Sequence, residues 1–185
     1  MPCDLTCLSQ ESPTWAAYLT EVVQSLFATM VGLPVEKPPV CRSLPQPLPL
    51  AAVVHITGVW NGGVLVRAGE GLVRRAASRM LQCPEEQVGL ADLHDTLAEI
   101  VNILGGGIKS LVPGPTRLSL PTVLHSRDYD WQIPQAASLA CQLFYCQGQP
   151  MTVRLFQALA DFPSGLKASQ GARLTVLESE KGKNA

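Results

Sequence analysis

The stretch DLHDTLAEIVNILGGGIKSLV, residues 92–112, organises the chain because its apolar residues recur at helical spacing. They lie three or four positions apart, which predicts an amphipathic helix with one stripe facing a core. The predicted stripe consists of Leu93, Leu97, Val101, Leu104, Ile108 and Leu111. At about 100° per residue, four residues fall nearly opposite this stripe: Asp95, Glu99, Asn102 and Gly106. Glu99 and Asn102 are three positions apart, so their side chains project from the same outer face.

This outer face has two interpretations. A glutamate and an asparagine opposite the apolar stripe of a helix are usually no more than solvated side chains. Asparagine is, however, only a modest helix former, and a run of glycines (Gly105-Gly106-Gly107) follows it. Each glycine in a helix interior costs about 1 kcal/mol relative to alanine. The run therefore either lets another group approach closely or breaks the helix.

Composition and charge exclude several classes of protein. The chain has 185 residues, 46% hydrophobic and 16% charged, which indicates one globular domain with a substantial core. Its net charge of −1 favours neither a nucleic-acid partner nor an anionic membrane. No apolar run is long enough to cross a bilayer, and the first residues lack the basic and apolar regions of a secretory signal. We expect a cytoplasmic protein.

Cysteine and histidine spacing predicts no metal site. The six cysteines form no CxxC pair, and in the cytoplasm we expect them to be reduced and mostly buried as small apolar residues. The three histidines, at 55, 94 and 125, are scattered without an HxxxH or HExxH pattern. No phosphate-binding glycine motif is present either, because Gly105–Gly107 followed by Lys109 does not have the P-loop spacing.

The other predicted elements are two helices and two hairpins. A helix over 14–30 would turn Tyr18, Val22, Leu26 and Met30 inward, and a helix over 71–81 would turn Leu72, Ala76 and Met80 inward. Strands at 51–60 and 64–67 flank the hairpin signal Asn61-Gly62-Gly63, and strands at 138–146 and 151–155 flank a turn at 147–150. A strand at 117–126 is interrupted by Pro121, so it is bulged or near an edge. This order predicts an α+β fold, with a mostly antiparallel sheet covered on one face by long helices.

Three segments together resemble a known family. Glu-x-x-Asn on the long helix, followed by Gly-Gly, is similar to the motif of the CheX-like phosphatases of bacterial chemotaxis, the CheC/CheX/FliY type. The segment Ile56–Trp60 with Gly62 and Gly63 resembles the first hairpin of that family, and LSLPTV at 118–123 resembles the strand after its active helix. The resemblance covers roughly residues 14–155. We therefore expect a CheX-like domain at 14–160, a flexible N-terminal extension at 1–13, and a C-terminal extension at 161–185 with a disordered end.

The resemblance implies an activity and a partner. Proteins of this family remove the phosphoryl group from the aspartate of a CheY-type response regulator. The acidic residue of the motif corresponds to Glu99, which would pair with a lysine of the regulator. The amide corresponds to Asn102, which would position the attacking water. Asp95 and Gly106 on the same face are predicted to contact the partner. The regulator would supply the phosphoaspartate and Mg²⁺, so this chain would need no cofactor of its own, and CheX-type relatives form homodimers through their sheets.

The chain also departs from the family pattern. Many relatives carry asparagine where this chain has Gly107, and relatives of the CheC type carry two copies of the motif. Here the first helix offers only Glu21 and Gln24, which we interpret as a solvated face. Two alternatives to a phosphatase therefore remain. The first is a non-catalytic module that binds a receiver domain or another signalling protein. The second is a dimeric structural domain in which the polar stripe of the long helix is only a solvated surface.

Overall fold

The computed structural model describes residues 12–38, 48–125, 133 and 135–159. The predicted extensions at 1–13 and 161–185 lie almost entirely outside these ranges, as do Cys3, Cys7 and Cys41. In the described part, the α+β prediction is confirmed: one antiparallel sheet carries three long helices on one face. No helix in these ranges is long and apolar enough to span a bilayer.

The sheet consists of two hairpins joined side by side. The first hairpin pairs β1 (Leu50–Gly58) with β2 (Gly62–Ala68), and the second pairs β5 (Ala136–Cys146) with β6 (Gln149–Ala158). Strands β2 and β6 pair with each other, so the order is β3-β1-β2-β6-β5. The turn of the second hairpin places Gln147 and Gly148 at positive φ, which is the geometry that suits a two-residue hairpin turn.

The predicted interruption at Pro121 is confirmed at one edge of the sheet. Strands β3 (Thr116–Leu118) and β4 (Thr122–His125) both pair with β1, one after the other along the same side. Residues 119–121 bulge between them. Proline has no N–H to donate to a ladder, so it is tolerated at such an edge.

Helix α1 (Pro13–Leu26) lies against β5, and the backbone is bonded to β5 just before the helix, at Ser12, and ten residues after it, at Glu36. The N–H of Ser12 donates to the carbonyl of Leu139 at 3.0 Å, and Glu36 and Tyr145 exchange two backbone hydrogen bonds of 2.8 Å each. The predicted inward face of α1 is wrong at two of its four positions, because Tyr18 is 41% exposed and Met30 is 39% exposed, while Leu26 is buried and Val22 is half-buried. The other buried residues are Leu19, Val23 and Phe27. A π-helical segment, Phe27–Val31, then turns Met30 outward before Gly32 ends it at a φ of 68°.

Helix α2 (Glu70–Leu81) follows the first hairpin and packs on α3 (Leu90–Leu111). Its buried face is Leu72, Val73, Ala76 and Ala77, while the predicted Met80 is only half-buried. The alternation of β1, β2 and β6 supplies the other side of the core, since every second residue of each strand is fully buried against the helices. These residues include Val54, Ile56, Val66, Val153 and Leu155.

Candidate functional site

Helix α3 lies on the sheet over β1 and packs against both α1 and α2. It begins at Leu90, two residues earlier than the sequence predicted, with Gly89 as the residue before its first turn. The N–H of Gly89 donates to the carboxylate of Asp92 at 2.8 Å. This bond satisfies a backbone donor at the helix start and places a negative charge at the positive end of the helix dipole.

The predicted apolar stripe of α3 is buried except at its last position. Leu93, Leu97, Val101, Leu104 and Ile108 are at most 1% exposed. Leu111 is 40% exposed, because it is the final helical residue, and the following Val112 is buried in its place. With this stripe anchored in the core, the rotational setting of α3 is fixed.

The opposite face of α3 is therefore directed away from the core, as predicted. Asp95 and Glu99 are exposed, and Asn102 and Gly106 are half-buried. Within the described ranges, the side chains of Glu99 and Asn102 make no hydrogen bond or ion pair. The carboxylate of Glu99 and the amide of Asn102 thus lie about one helical turn apart on α3, and both can form hydrogen bonds with a partner.

The three glycines of α3 meet three different surroundings, and the helix continues through them without a break. A Cβ on Gly105 would lie 2.5 Å from Val54 Cγ2, and one on Gly107 would lie 2.8 Å from Val22 Cγ1. Gly105 therefore allows close packing on the sheet, and Gly107 allows close packing of α1. A Cβ on Gly106 would meet nothing within 4 Å, so the outer face is open at this point.

The edge strands β3 and β4 flank one side of α3. At the start of the helix, the rings of His94 and His125 lie edge to face with centroids 6.2 Å apart. Eleven residues further on, Gly105 faces the Leu118 side chain, and a Cβ on this glycine would lie 3.0 Å from Leu118 Cδ1. Asn102 lies between these two contacts along the helix, and the bulge at 119–121 lies between them along the edge strands.

This face contains one further residue that was not predicted from the sequence. Lys109 lies seven positions after Asn102, which brings it back to the same side of the helix after nearly two turns. The face therefore carries carboxylates (Asp95, Glu99) toward its N-terminal end and an ammonium group toward its C-terminal end. Negative charge near the N-terminal end of a helix and positive charge near its C-terminal end both interact favourably with the helix dipole. The seven-residue spacing was the signal that could have identified Lys109.

Helix α1 presents the similar pair Glu21 and Gln24, and both are exposed. They line a shallow, open groove of about 810 Å³ along α1, together with small side chains and Lys37. The interpretation of this pair as a solvated face stays a prediction. Because it has the same spacing on a helix as the pair on α3, it serves as a control for experiments.

Other titratable groups lie apart from this face. Burial lowers the pKa of the His55 imidazole from its ordinary value of 6.5, and burial raises the pKa of the Cys146 thiol, partly opposed by the positive charge of Arg75. Cys83, Cys141 and Cys146 form no disulfide within the described ranges, and Cys146 is buried. Among the described residues, no three of His, Cys, Asp and Glu are grouped so that they could hold a metal ion.

Comparison with known proteins agrees with this fold and this helix. The family model described as chemotaxis phosphatase CheX matches residues 50–145, which include the first hairpin and all of α3. The chain belongs to the CheX family. No curated protein matches the chain.

Solved structures of CheX-type proteins share the fold of this CheX-family chain. The chemotaxis protein CheX from Vibrio vulnificus superposes with a TM-score of 0.63 at 15% identity, covering 77% of this chain and 96% of its own. A putative chemotaxis protein from Desulfovibrio vulgaris Hildenborough gives a TM-score of 0.62 at 19% identity, covering 80% of this chain and 100% of its own. The CheX of a CheX–CheY–BeF₃–Mg²⁺ complex from Borrelia burgdorferi gives 0.59 at 12% identity, covering 76% of this chain and 96% of its own. At these identities the likeness shows the fold.

Proposed function

We propose that this protein is a phosphatase that hydrolyses the aspartyl phosphate of a CheY-type response regulator. The observation that carries the proposal is the pair Glu99 and Asn102, which is held outward on α3 by an apolar stripe buried from Leu93 to Ile108 and makes no side-chain bond within the described ranges. Membership of the CheX family supports the reaction class. The Borrelia CheX, which shares the fold, was solved in a complex with CheY, BeF₃ and Mg²⁺.

The reaction requires little from the enzyme beyond positioning. An acyl phosphate is already activated, so no enzyme nucleophile is needed; a water molecule must be held in line with the scissile P–O bond. The amide of Asn102 can accept a hydrogen bond from that water through Oδ1 and donate one through Nδ2, which fixes its orientation. Half-burial limits the motion of this side chain, and the absence of side-chain bonds leaves both groups available.

Glu99 has a different part in the proposal. Its exposed carboxylate lies one turn before Asn102 and can form a charge-assisted hydrogen bond with a cationic side chain of the regulator. Such a pair fixes the register in which the two proteins dock and steers their encounter. In this proposal the regulator supplies the phosphoaspartate and the Mg²⁺ that neutralises the developing charge.

The first test is the decay of phosphorylated response regulators from the same genome, alone and with this protein. We expect the wild type to accelerate decay and Asn102→Ala to lower kcat by about 100-fold, the order of loss that follows mispositioning of a reacting group. Glu99→Gln should instead raise KM by about tenfold, and more at low ionic strength, because it removes a docking charge. Gln24→Ala on α1 is the matched control and should behave as wild type.

The outcomes separate the alternatives. Loss of activity in Gln24→Ala with none in Asn102→Ala would move the site to α1. A wild type that binds a phosphorylated regulator without accelerating its decay would favour the non-catalytic binding module. A wild type that neither binds nor accelerates would leave the polar stripe as a solvated surface.

A further inference from the structure

The motif LSLP at 118–121 has no part in the proposed chemistry. It includes the last residue of β3 and the bulge between β3 and β4. The structure explains three of its four residues. Leu118 packs against Gly105 of α3, Ser119 bonds to β1, and Pro121 occupies an edge position where no N–H is needed. Leu120 is left 81% exposed, more than any other large apolar side chain in the described ranges.

The bulge is held rigidly at Ser119. The N–H of Ser119 donates to the carbonyl of His55 at 2.8 Å, and the N–H of His55 donates to Ser119 Oγ at 3.0 Å. The hydroxyl thereby takes the place that a strand carbonyl would occupy in the ladder. Three residues, 119–121, can then oppose two residues of β1, and pairing resumes where Thr122 meets Val53.

Leu120 itself is restricted by its neighbours. Pro121 confines the preceding residue to extended backbone conformations. The carbonyl of Leu120 also accepts a hydrogen bond of 2.9 Å from Ser119 Oγ. An exposed leucine on a fixed backbone loses little conformational entropy when a partner covers it, which favours binding.

The bulge lies beside the working face of α3. The edge strands follow the helix from the His94–His125 contact to the contact of Gly105 with Leu118. Asn102 precedes Gly105 by three residues, so it is the surface neighbour of Gly105 about 4.5 Å back along the axis. Leu120 follows Leu118 by two residues in the same direction. A partner docked on Glu99 and Asn102 therefore extends over the bulge.

A single exposed leucine is common on protein surfaces, and exposure alone carries no inference. Here the side chain is exposed, fixed and adjacent to the docking face, and bulges next to active sites commonly serve to aim a side chain. We propose that Leu120 is an apolar anchor that packs into an apolar depression of the receiver domain, beside the phosphorylated carboxylate. This rests on the proposed function and assigns to Leu120 a part in binding, with none in the chemical step.

The test separates binding from chemistry by measuring KM and kcat for dephosphorylation together with Kd for the Mg²⁺–BeF₃ form of the regulator. We expect Leu120→Ala to raise both KM and Kd by about tenfold, the effect of truncating one anchoring side chain, and to leave kcat within about twofold of wild type. Leu120→Met, which retains an apolar side chain of similar size, should stay close to wild type. Leu159→Ala is the control, since Leu159 is 72% exposed but directly follows β6, which is three strands away from β3 in the sheet.

Several results would overturn the inference. Leu120→Ala and Leu159→Ala with equal KM and Kd would remove Leu120 from the interface while leaving the phosphatase intact. A change of sedimentation behaviour in Leu120→Ala, with Kd unaltered, would assign the leucine to contact with a second copy of this chain. Asn102→Ala should show the opposite pattern, a lower kcat with little change in Kd. A wild type that neither binds nor dephosphorylates any regulator would overturn the proposed function and the anchor together.

Discussion

At the scale of single residues, the three glycines of α3 show how one residue type can serve different purposes in adjacent positions. Gly105 faces the sheet, Gly107 faces α1, and Gly106 faces open space. Only the first two are required by packing within the chain. Gly106 carries the propensity cost of glycine with no contact in the described structure to offset it, which is consistent with close approach of a partner.

Alanine substitutions should separate these roles. Gly105→Ala should lower the free energy of unfolding by about 1–2 kcal/mol, because its Cβ would lie 2.5 Å from Val54 Cγ2 and force repacking. Gly106→Ala should raise it by about 0.5–1 kcal/mol through helix propensity. Urea unfolding of both variants measures the two effects. Equal destabilisation by both variants would contradict the surroundings described for Gly106.

His55 predicts a pH dependence of stability. Burial lowers the pKa of its imidazole in the folded state, so the unfolded chain binds a proton more readily. The stability that neutral His55 contributes is therefore complete above a pH of about 6.5 and is lost as pH falls through the folded-state pKa. Replacement by phenylalanine, which cannot titrate and suits a strand next to Phe156, should make the free energy of unfolding less steep between pH 7 and pH 5.

The contribution of one histidine to that slope is at most about 1.4 kcal/mol per pH unit. His125→Gln is the control, because His125 is exposed at the end of β4. Parallel stability curves for His55→Phe and the wild type would contradict the prediction.

The outward placement of Glu99 and Asn102 could be predicted from sequence, since it depends only on the rotation per residue of a helix whose other side is apolar. Which groups meet the glycines could not be predicted. Those contacts join α3 to Val54, Leu118 and Val22, which are distant in sequence, and nothing in the local pattern specifies them. Leu120 could not be predicted for the same reason, because its proposed part in binding depends on the position of the bulge beside α3.

At the scale of elements, α1 shows where periodicity is ambiguous. Its apolar residues form two overlapping rows, one through Tyr18 and Val22 and the other through Leu19 and Val23. Both rows have helical spacing, and the row through Leu19 and Val23 is the one that is buried against the sheet. The aromatic ring of Tyr18 does not determine which row is buried. Tyr18 stays at the surface, where its ring lies edge to face with that of Trp15, with centroids 6.3 Å apart.

The side chains of Arg74, Arg75 and Ser78 of α2 all bond to the connection between α2 and α3. Arg74 of α2 donates to the carbonyl of Val88 at 2.5 Å and forms an ion pair of 2.7 Å with Glu70. Arg74→Ala should therefore lower the free energy of unfolding by about 1–2 kcal/mol, since it leaves the carbonyl of the buried Val88 with one donor fewer. Arg79→Ala, at an exposed site on the same helix, should have little effect.

Thermal or urea unfolding of the two arginine variants gives the comparison. The effect should lie in stability, with kcat for a phosphorylated regulator preserved at temperatures where Arg74→Ala is folded. A large loss of kcat in the folded variant would mean that Arg74 also positions the outer face of α3.

At the scale of the whole molecule, the layer arrangement was predictable and the strand order was not. Two hairpin signals and three helical segments predict an antiparallel sheet with helices on one face. The pairing of β2 with β6 joins residues separated by about half of the chain, and no turn specifies it. What specifies it is burial: the alternating residues of both strands belong to one core beneath α3.

The double attachment to β5 of the segment that contains α1 has a consequence for local opening. The seven residues from Leu139 to Tyr145 span about 20 Å, close to the length of the 14-residue helix. The backbone of residues 12–36, which includes α1 and the π-helical segment, is therefore closed onto β5 by bonds at Ser12 and Glu36. We expect such a closed unit to open cooperatively, so that its amides exchange with solvent deuterium as a group.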